Sequence, residues 1–137
     1  MIIFLRHGEA ENNVKKILAG RTPGINLTEQ GKQQAEQAGE MIKSLNISAI
    51  YSSPIDRAMQ TAEIVGKHCD VKPISDDRLI ELDMGKFTMV PYTEIFKNHG
   101  NVFLKFYEGS LEISHNGVES FAQVQKRVFD IVDFVKN

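Results

Sequence analysis

The stretch ISAIYSSPIDRAMQTAEIVGKH, residues 47–68, decides the fold class of this chain. Residues 47–53 form a short apolar run that stops at Pro54, which predicts a buried strand. The residues that follow, 55–68, carry small and apolar side chains at the spacing of one helix face: Ala58, Thr61, Ala62 and Val65. A strand followed directly by an amphipathic helix is the unit from which parallel α/β sheets are built.

The sequence on either side continues this alternation. Residues 2–5 predict another short buried strand, and residues 71–75 predict a third strand, which Pro73 places at a sheet edge. Residues 6–27 are predicted to be mostly loop with one short helix. A helix then begins after Thr28, a suitable N-cap, with its inward positions at Ala35, Ala38, Ile42 and Leu45.

The last third of the chain is predicted to be helical in three pieces. Residues 92–99 and 101–109 indicate short helical segments, whereas residues 119–137 predict a long amphipathic helix. Its apolar stripe consists of Phe121, Val124, Val128, Ile131 and Val135. Strands that alternate with helices predict an α/β fold with a mainly parallel sheet, in which functional groups gather at the carboxyl ends of the strands.

Composition narrows the class of protein. The 137 residues are enough for one compact domain, and 42% hydrophobic and 25% charged residues are typical of a soluble globular chain. A net charge of −2 with interspersed signs gives no indication of a nucleic-acid or membrane partner. Cys69 is the one cysteine, which excludes an internal disulfide and favours a cytoplasmic location. A homo-oligomer is left open.

Two arginines and a histidine are predicted to share the rim of the sheet. Arg6, His7 and Gly8 follow the first predicted strand, and Arg57 follows the second, near the start of its helix. A lone histidine at a strand end is usually a capped or half-exposed side chain. Two converging guanidinium groups, however, would be costly unless an anion lay between them, and a phosphoryl group fits.

His7 is placed to act as a nucleophile at such a site. A neutral imidazole can accept a phosphoryl group on one ring nitrogen, and nearby guanidinium charge disfavours the imidazolium form. The other ring nitrogen then needs a fixed acceptor, for which a backbone carbonyl is expected. The role of Gly8 is to let the chain turn and let a ligand approach closely.

Five motifs in order resemble the histidine phosphatase superfamily, also called the phosphoglycerate mutase-like family. They are LRHGEAENN at 5–13, GRTPGINLTEQGKQQA at 20–35, IYSSPIDRAMQTAE at 50–63, RLIELDMGKF at 78–87 and NGVESFAQVQKRV at 116–128. The resemblance covers nearly the whole chain. It implies a three-layer α/β/α fold and transfer of a phosphoryl group through a phosphohistidine.

The resemblance also assigns roles to single residues. His7 matches the nucleophile, Glu81 the general acid, and Arg6 and Arg57 the arginines that bind the substrate phosphate. The remaining candidates for phosphate or substrate contact lie in the loops: Asn12, Gly8, Glu9 and Arg21. Glu9 has the alternative of capping backbone amides, and Arg21 that of an ordinary surface arginine.

One part of the family pattern is not found. The family uses a second histidine on a late strand, after the late helix, but this sequence stops at Asn137. SHNG at 114–117 imitates that segment, yet no apolar strand precedes it, and His115 is expected to be a loop residue. We therefore expect the domain over residues 1–137 to lack its C-terminal strand, and the chain to be a fragment of a longer protein.

Three functions remain open from the sequence. The leading hypothesis is a phosphomonoester hydrolase that acts on a small phosphorylated metabolite. A mutase of the phosphoglycerate type is the first alternative, although the short segments after Gly20 and over 86–117 favour a phosphatase. A phospho-ligand binding module without catalysis is the second alternative. No metal or organic cofactor is expected, because the arginines already supply positive charge and no nucleotide-binding glycine motif occurs.

Overall fold

The computed structural model describes residues 1–107 and 117–137, with the backbone alone described over 101–107. Five helices and four short strands follow one another along the chain: α1 (Glu11–Lys15), β1 (Ile17–Leu18), α2 (Glu29–Ile42), β2 (Tyr51–Ser52), α3 (Asp56–Cys69), β3 (Ile74–Ser75), β4 (Val90–Pro91), α4 (Tyr92–Tyr107) and α5 (Phe121–Lys136). Three single turns of 3₁₀ helix cover Lys43–Leu45, Asp77–Leu79 and Gly85–Phe87.

The strands pair in two short ladders. β2 and β3 are parallel, with Tyr51 opposite Ile74 and Ser52 opposite Ser75, and α3 forms the crossover between them. β1 and β4 are antiparallel and join the loop after α1 to the start of α4. The β2–α3–β3 unit confirms the strand–helix–strand arrangement that the sequence predicts for residues 47–75, although its strands are shorter than expected.

The predicted first strand is wrong for the residues described here. Residues 2–5 form no ladder with any described residue, and Phe4 is 74% exposed. A strand exists only through hydrogen bonds to a neighbouring strand, so an apolar run without a partner is not assigned as one. This segment nevertheless leads straight into Arg6 and His7.

Two helices pack closely on each other beneath the candidate site. α2 begins where predicted, because the Thr28 side chain accepts a hydrogen bond from the Gly31 amide. α3 covers Asp56–Cys69 and buries Thr61, Ala62 and Val65, as its periodicity predicts. The ring of His68 on α3 lies against Gly39 on α2, where any side chain larger than hydrogen would collide with it.

The last part of the chain packs as a separate apolar cluster. Its buried members come from the segment 84–95 and from the entry to α5: Met84, Phe87, Ile95 and Val118. The two predicted pieces at 92–99 and 101–109 merge into α4, with non-helical backbone at His99, and residues 108–109 lie outside the described residues.

The final helix, α5, confirms the prediction for residues 119–137 in type and position. Ser120 caps it and Ile131 is buried, whereas Val135 at the end of the predicted stripe is 41% exposed. None of the helices in the described part of the chain is long and apolar enough to cross a membrane.

Candidate active site

His7 is held in one tautomer by its own backbone. Its Nδ1 lies 2.7 Å from the carbonyl oxygen of Gly8, which can only accept, so the Nδ1 proton is donated there. The lone pair therefore sits on Nε2, which accepts a 3.4 Å hydrogen bond from Nε of Arg57. The predicted backbone acceptor and the neutral ring geometry are both present.

Electrostatics at this point favour the neutral imidazole. Burial lowers the pKa of His7 below its ordinary value of 6.5, and the positive charges of Arg57 and Arg6 lower it further. The Gly8 carbonyl and the Glu81 carboxylate oppose these effects without reversing them. A neutral ring with an available Nε2 lone pair is the form that a nucleophile requires.

Arg57 brings its positive charge into the interior. Its side chain is 3% exposed, and one Nη2 hydrogen bond of 2.8 Å to the Gly20 carbonyl fixes the guanidinium. The Glu81 carboxylate lies 3.6 Å from the same nitrogen and balances part of the charge. Burial lowers the pKa of Arg57, yet an arginine still carries its proton at neutral pH.

A donor of Arg57 is left without a partner. Its Nη1 is buried and has no hydrogen bond to any described residue. Buried polar atoms are nearly always paired, so an unpaired guanidinium nitrogen beside a histidine nucleophile points to an acceptor supplied by a ligand. An oxyanion matches the charge and the fork geometry.

Asn12 has a buried polar atom of the same kind. Its Nδ2 donates to the Ile17 carbonyl at 3.3 Å, while the buried Oδ1 has no partner among the described residues. In this orientation the side chain offers an acceptor, so contact with a phosphate oxygen would require the amide to turn and present its NH₂ group.

Glu81 lies beside Arg57 and is partly exposed to solvent. Its side chain is 41% exposed, and Oε1 accepts a hydrogen bond from the Leu82 amide at 2.8 Å. The other oxygen is the one that faces Arg57. The structure thus brings together His7, Arg57 and Glu81 from three separate segments, as the sequence predicted.

Arg6 is exposed and makes no hydrogen bond or ion pair with any residue that the structure describes. It is close enough to contribute to the lowered pKa of His7. Glu9 turns away from the site, because its Oε1 accepts a 2.7 Å hydrogen bond from the hydroxyl of Thr28. This contact is with a side-chain hydroxyl, whereas the alternative role predicted for Glu9 was to cap backbone amides.

Arg21 forms hydrogen bonds with two other segments of the chain. Its Nε donates to the Glu81 carbonyl at 2.7 Å, and its Nη2 contacts Glu119 at 3.1 Å. These bonds show that Arg21 is not a plain surface arginine, and its contact with a substrate stays a prediction.

Gly8 is small for a reason that the sequence did not reveal. A Cβ on Gly8 would collide with the Gly31 carbonyl, and a Cβ on Gly31 would collide with the Glu9 carbonyl. The glycine is thus required by the close approach of two backbones, the loop after His7 and the first turn of α2. The close approach of a ligand that the sequence analysis expects at Gly8 stays a prediction.

Two further residues support the site without having been singled out for it. Thr61 accepts a hydrogen bond from the Gly8 amide at 3.1 Å and donates to the Arg57 carbonyl at 2.8 Å. It lies four residues after Arg57, on the same helix face, and that spacing could have identified it. Glu119 contacts Arg21 and the Asp83 amide, and nothing in its sequence pattern indicates this role.

The other histidines lie elsewhere. His68 contacts Glu36 between α2 and α3, and the ring of His99 packs edge-on against Phe87 with centroids 5.1 Å apart, so neither is a plain surface residue. His115 lies outside the described residues. Among the described residues, no group of three or more His, Cys, Asp or Glu side chains is arranged to hold a metal ion.

This geometry is that of a known class. The family model of the histidine phosphatase superfamily (branch 1) matches residues 2–137, and the chain belongs to that superfamily. It is 44% identical over 84 residues to the 2,3-bisphosphoglycerate-dependent phosphoglycerate mutase of Thermoplasma acidophilum, covering 61% of this chain and 42% of the relative. It is 30% identical over 138 residues to phosphoserine phosphatase 1 of Hydrogenobacter thermophilus, covering 98% and 64%.

Solved structures agree with this assignment. A mycobacterial glucosyl-3-phosphoglycerate phosphatase in complex with VO3 has a TM-score of 0.89 at 27% identity, over 96% of this chain and 62% of that one. YhfR of Bacillus stearothermophilus has a TM-score of 0.85 at 31% identity, over 95% and 64%. The predicted α/β, phosphoglycerate mutase-like fold class is confirmed. The chain spans 42% and 64% of the length of the two curated relatives.

Proposed function

We propose that this protein is a phosphomonoester hydrolase that acts through a phosphohistidine on His7. The observation that carries the proposal is the pairing of an Nε2 lone pair with a buried guanidinium whose Nη1 has no partner among the described residues. A nucleophile and an unsatisfied anion-binding donor lie side by side. Relatives named as phosphatases support a small phosphorylated metabolite as the substrate.

The proposed reaction has two steps. In the first, Nε2 of His7 attacks phosphorus, the bond to the ester oxygen breaks, and Glu81 in its acid form protonates the departing alcohol. In the second, Glu81 as carboxylate takes a proton from water, which attacks the phosphoryl group and breaks the N–P bond. Arg57 and Arg6 stabilise the negative charge on the phosphoryl oxygens in both steps.

A mutase is the second candidate, and the identity to a phosphoglycerate mutase favours it. The chemistry at His7 would be unchanged, but a phosphorylated sugar acid would take the place of water as acceptor. We keep the cytoplasm as the proposed location, on the single cysteine of the sequence.

The test is turnover of p-nitrophenyl phosphate at mildly acidic pH by the purified protein and by His7→Ala. We expect loss of turnover in His7→Ala, and an acid-labile, base-stable phosphoryl label on His7 in the unsubstituted protein. His68→Gln is the control, because it changes a histidine between α2 and α3 and keeps a hydrogen-bonding side chain.

Equal turnover by the protein and by His7→Ala would overturn the assignment of the nucleophile. Phosphate binding without turnover would identify a binding module instead. Isomerisation of a phosphorylated three-carbon acid, faster than its hydrolysis, would identify a mutase.

A further inference from the structure

The backbone of the segment that carries Glu81 forms hydrogen bonds with residues from distant parts of the chain. Arg21 Nε donates to the Glu81 carbonyl at 2.7 Å. At Asp83, the carbonyl accepts from the Glu119 amide at 2.8 Å, and the amide donates to the Glu119 carboxylate at 3.1 Å. These bonds fix the backbone at the candidate acid and at the residue two positions after it.

Glu119 lies at the centre of this arrangement. Its carboxylate accepts from Arg21 Nη2 at 3.1 Å and from Arg127 Nε and Nη2, both at 3.0 Å, in addition to the Asp83 amide. The side chain is 13% exposed, so these charge-assisted hydrogen bonds are shielded from water. Burial acts to raise the pKa of Glu119, but the hydrogen bonds from Arg127 and the Asp83 amide outweigh it, and the pKa is lowered.

The guanidinium of Arg127 binds the backbone at the start of the same segment. Arg127 Nη1 donates to the Arg78 carbonyl at 2.9 Å, so this arginine on α5 joins Glu119, which lies just before the helix, to residue 78. The segment from Arg78 to Asp83 is thereby held at both ends and at Glu81 itself. The Glu119 carboxylate orients Arg21 and Arg127, the two arginines that bind the backbone of this segment.

The Glu81 side chain has few restraints of its own. It is 41% exposed, its Oε1 bonds only to the adjacent Leu82 amide, and its Oε2 lies 3.6 Å from Arg57. Its position beside Arg57 is therefore set by where the backbone places it. A general acid must stand within hydrogen-bond reach of the leaving oxygen, so a small backbone shift would remove it from that position.

We infer that Glu119 is a positioning residue for the reaction, which holds Glu81 at the site through Arg21 and the Asp83 backbone. The inference rests on the proposed phosphoryl transfer through His7. The inference also assigns Arg21 a supporting role for the segment that carries Glu81, since its guanidinium already forms hydrogen bonds with Glu81 and Glu119.

The test compares two esters that differ in their need for an acid. Dinitrophenolate leaves without protonation, whereas an alkoxide such as that of glycerol phosphate needs a proton. In Glu119→Gln we expect kcat/KM for glycerol phosphate to fall roughly 30-fold, which is less than the about 10²–10⁴-fold that general acid catalysis typically contributes, because the acid is misplaced and not removed. The value for 2,4-dinitrophenyl phosphate should change less than about threefold. Glu63→Gln, at an exposed position on α3, is the control and should leave both values unchanged.

An equal fall for both esters would mean that Glu119 matters only for the amount of folded protein, and would overturn the inference. Arg21→Gln is the second variant, because it removes the bond to the Glu81 carbonyl and leaves Glu119 paired with Arg127. It should show the same dependence on the leaving group. Should Glu119→Gln fail to fold, Arg21→Gln decides the question.

Amide hydrogen exchange separates this inference from the proposed function. In Glu119→Gln the peptide that contains residues 79–84 should exchange faster, while peptides from α2 and α3 keep their rates. Unchanged exchange over residues 79–84 would disprove that Glu119 holds this segment in place, whether or not the protein turns over either ester. Lack of turnover in the unsubstituted protein would overturn the proposed function. It would also overturn the catalytic role inferred for Glu119.

Discussion

Arg57 is the residue on which the chemistry of this site depends most. It combines nearly complete burial with one unpaired donor, and the carboxylate that faces it lies at 3.6 Å, too far for a close hydrogen-bonded pair. A buried charge that is only partly compensated destabilises the unliganded fold. Such a side chain is retained where binding of an anion supplies the missing contacts.

His7 should titrate at lower pH than an ordinary histidine. Because burial and two arginines lower its pKa below 6.5, the unfolded chain binds more protons than the folded protein between that lowered pKa and 6.5. The free energy of unfolding should therefore rise as pH increases through this window. NMR titration of the imidazole resonances, assigned with His7→Gln, measures the pKa, and denaturant unfolding at several pH values measures the stability.

The same variant supplies the control for stability. In His7→Gln the rise of the unfolding free energy across that window should be smaller. A pKa for His7 at or above 6.5 in the folded protein would contradict the electrostatic account of the site.

Glu81→Gln should separate chemistry from binding. The amide keeps the size of the side chain but can no longer deliver a proton, so we expect kcat for an alkyl phosphate to fall by about 10²–10⁴-fold. Phosphate affinity should change little, since the unpaired donor of Arg57 is untouched. Calorimetric titration with phosphate checks this, and loss of phosphate binding in Glu81→Gln would argue against the acid role.

At the level of single residues, the sequence predicts the reacting groups better than their supports. His7, Arg57 and Glu81 stand at recognisable motif positions, and their reactive side chains meet in the structure. The contact between Thr61 and the Gly8 amide joins residues 53 positions apart, and no periodic pattern encodes such a pairing. Side chains that bind backbone groups across the fold are visible only once the fold is known.

Among the elements, α2 and the loop after His7 form one rigid unit. Gly8 and Gly31 face each other so closely that neither position has room for a Cβ. The Thr28 amide also donates to the Glu9 carbonyl at 2.9 Å, which ties the first turn of the helix to the same loop. The position of His7, the proposed nucleophile, is thus fixed by a helix that contributes none of the proposed reactive side chains.

Gly31→Ala should therefore damage both stability and the site. The new methyl group would meet the Glu9 carbonyl, a backbone atom that cannot move aside, so we expect a loss of about 3 kcal/mol in the free energy of unfolding. Gly100→Ala is the matched control, because no atom of the described part of the chain lies within 4 Å of a Cβ there. In helix α4 that change should stabilise by about 0.5–1 kcal/mol. Urea unfolding of both variants measures the difference, and similar values would contradict the close approach.

The helices were easier to predict than the strands, for a physical reason. The hydrogen bonds of α2 and α3 are local, and their N-terminal and apolar signals lie within each segment. Residues 2–5 have the composition of a strand, but a ladder needs a partner, and none of the described residues supplies it. The non-helical backbone at His99 divides α4 into two helices, which agrees with the two short pieces predicted on either side of residue 100.

For the molecule as a whole, occupation of the site should be visible as stability. A ligand that binds only the folded state stabilises it by about 2.7 kcal/mol at 100 times its Kd. With the usual unfolding entropy per residue, this corresponds to a rise in Tm of about 9 °C for a chain of 137 residues. Phosphate or vanadate should produce this shift in differential scanning fluorimetry, and chloride at equal ionic strength should not.

Arg57→Met tests the origin of that shift. It removes the buried charge, so we expect the shift to disappear while the unliganded protein becomes as stable as the original or more so. A shift of equal size in Arg57→Met would place the oxyanion elsewhere on the molecule.

The separation of the site residues along the chain has a consequence for the order in which the protein acquires its parts during synthesis. His7 meets Arg57 across 50 positions, whereas Arg21 meets Glu119 only across 98. A chain that emerges from its amino end completes the first pair long before the second, and closing the longer loop carries the larger entropic penalty. A growing chain therefore gains a binding place for phosphate before it gains a firmly placed proton donor.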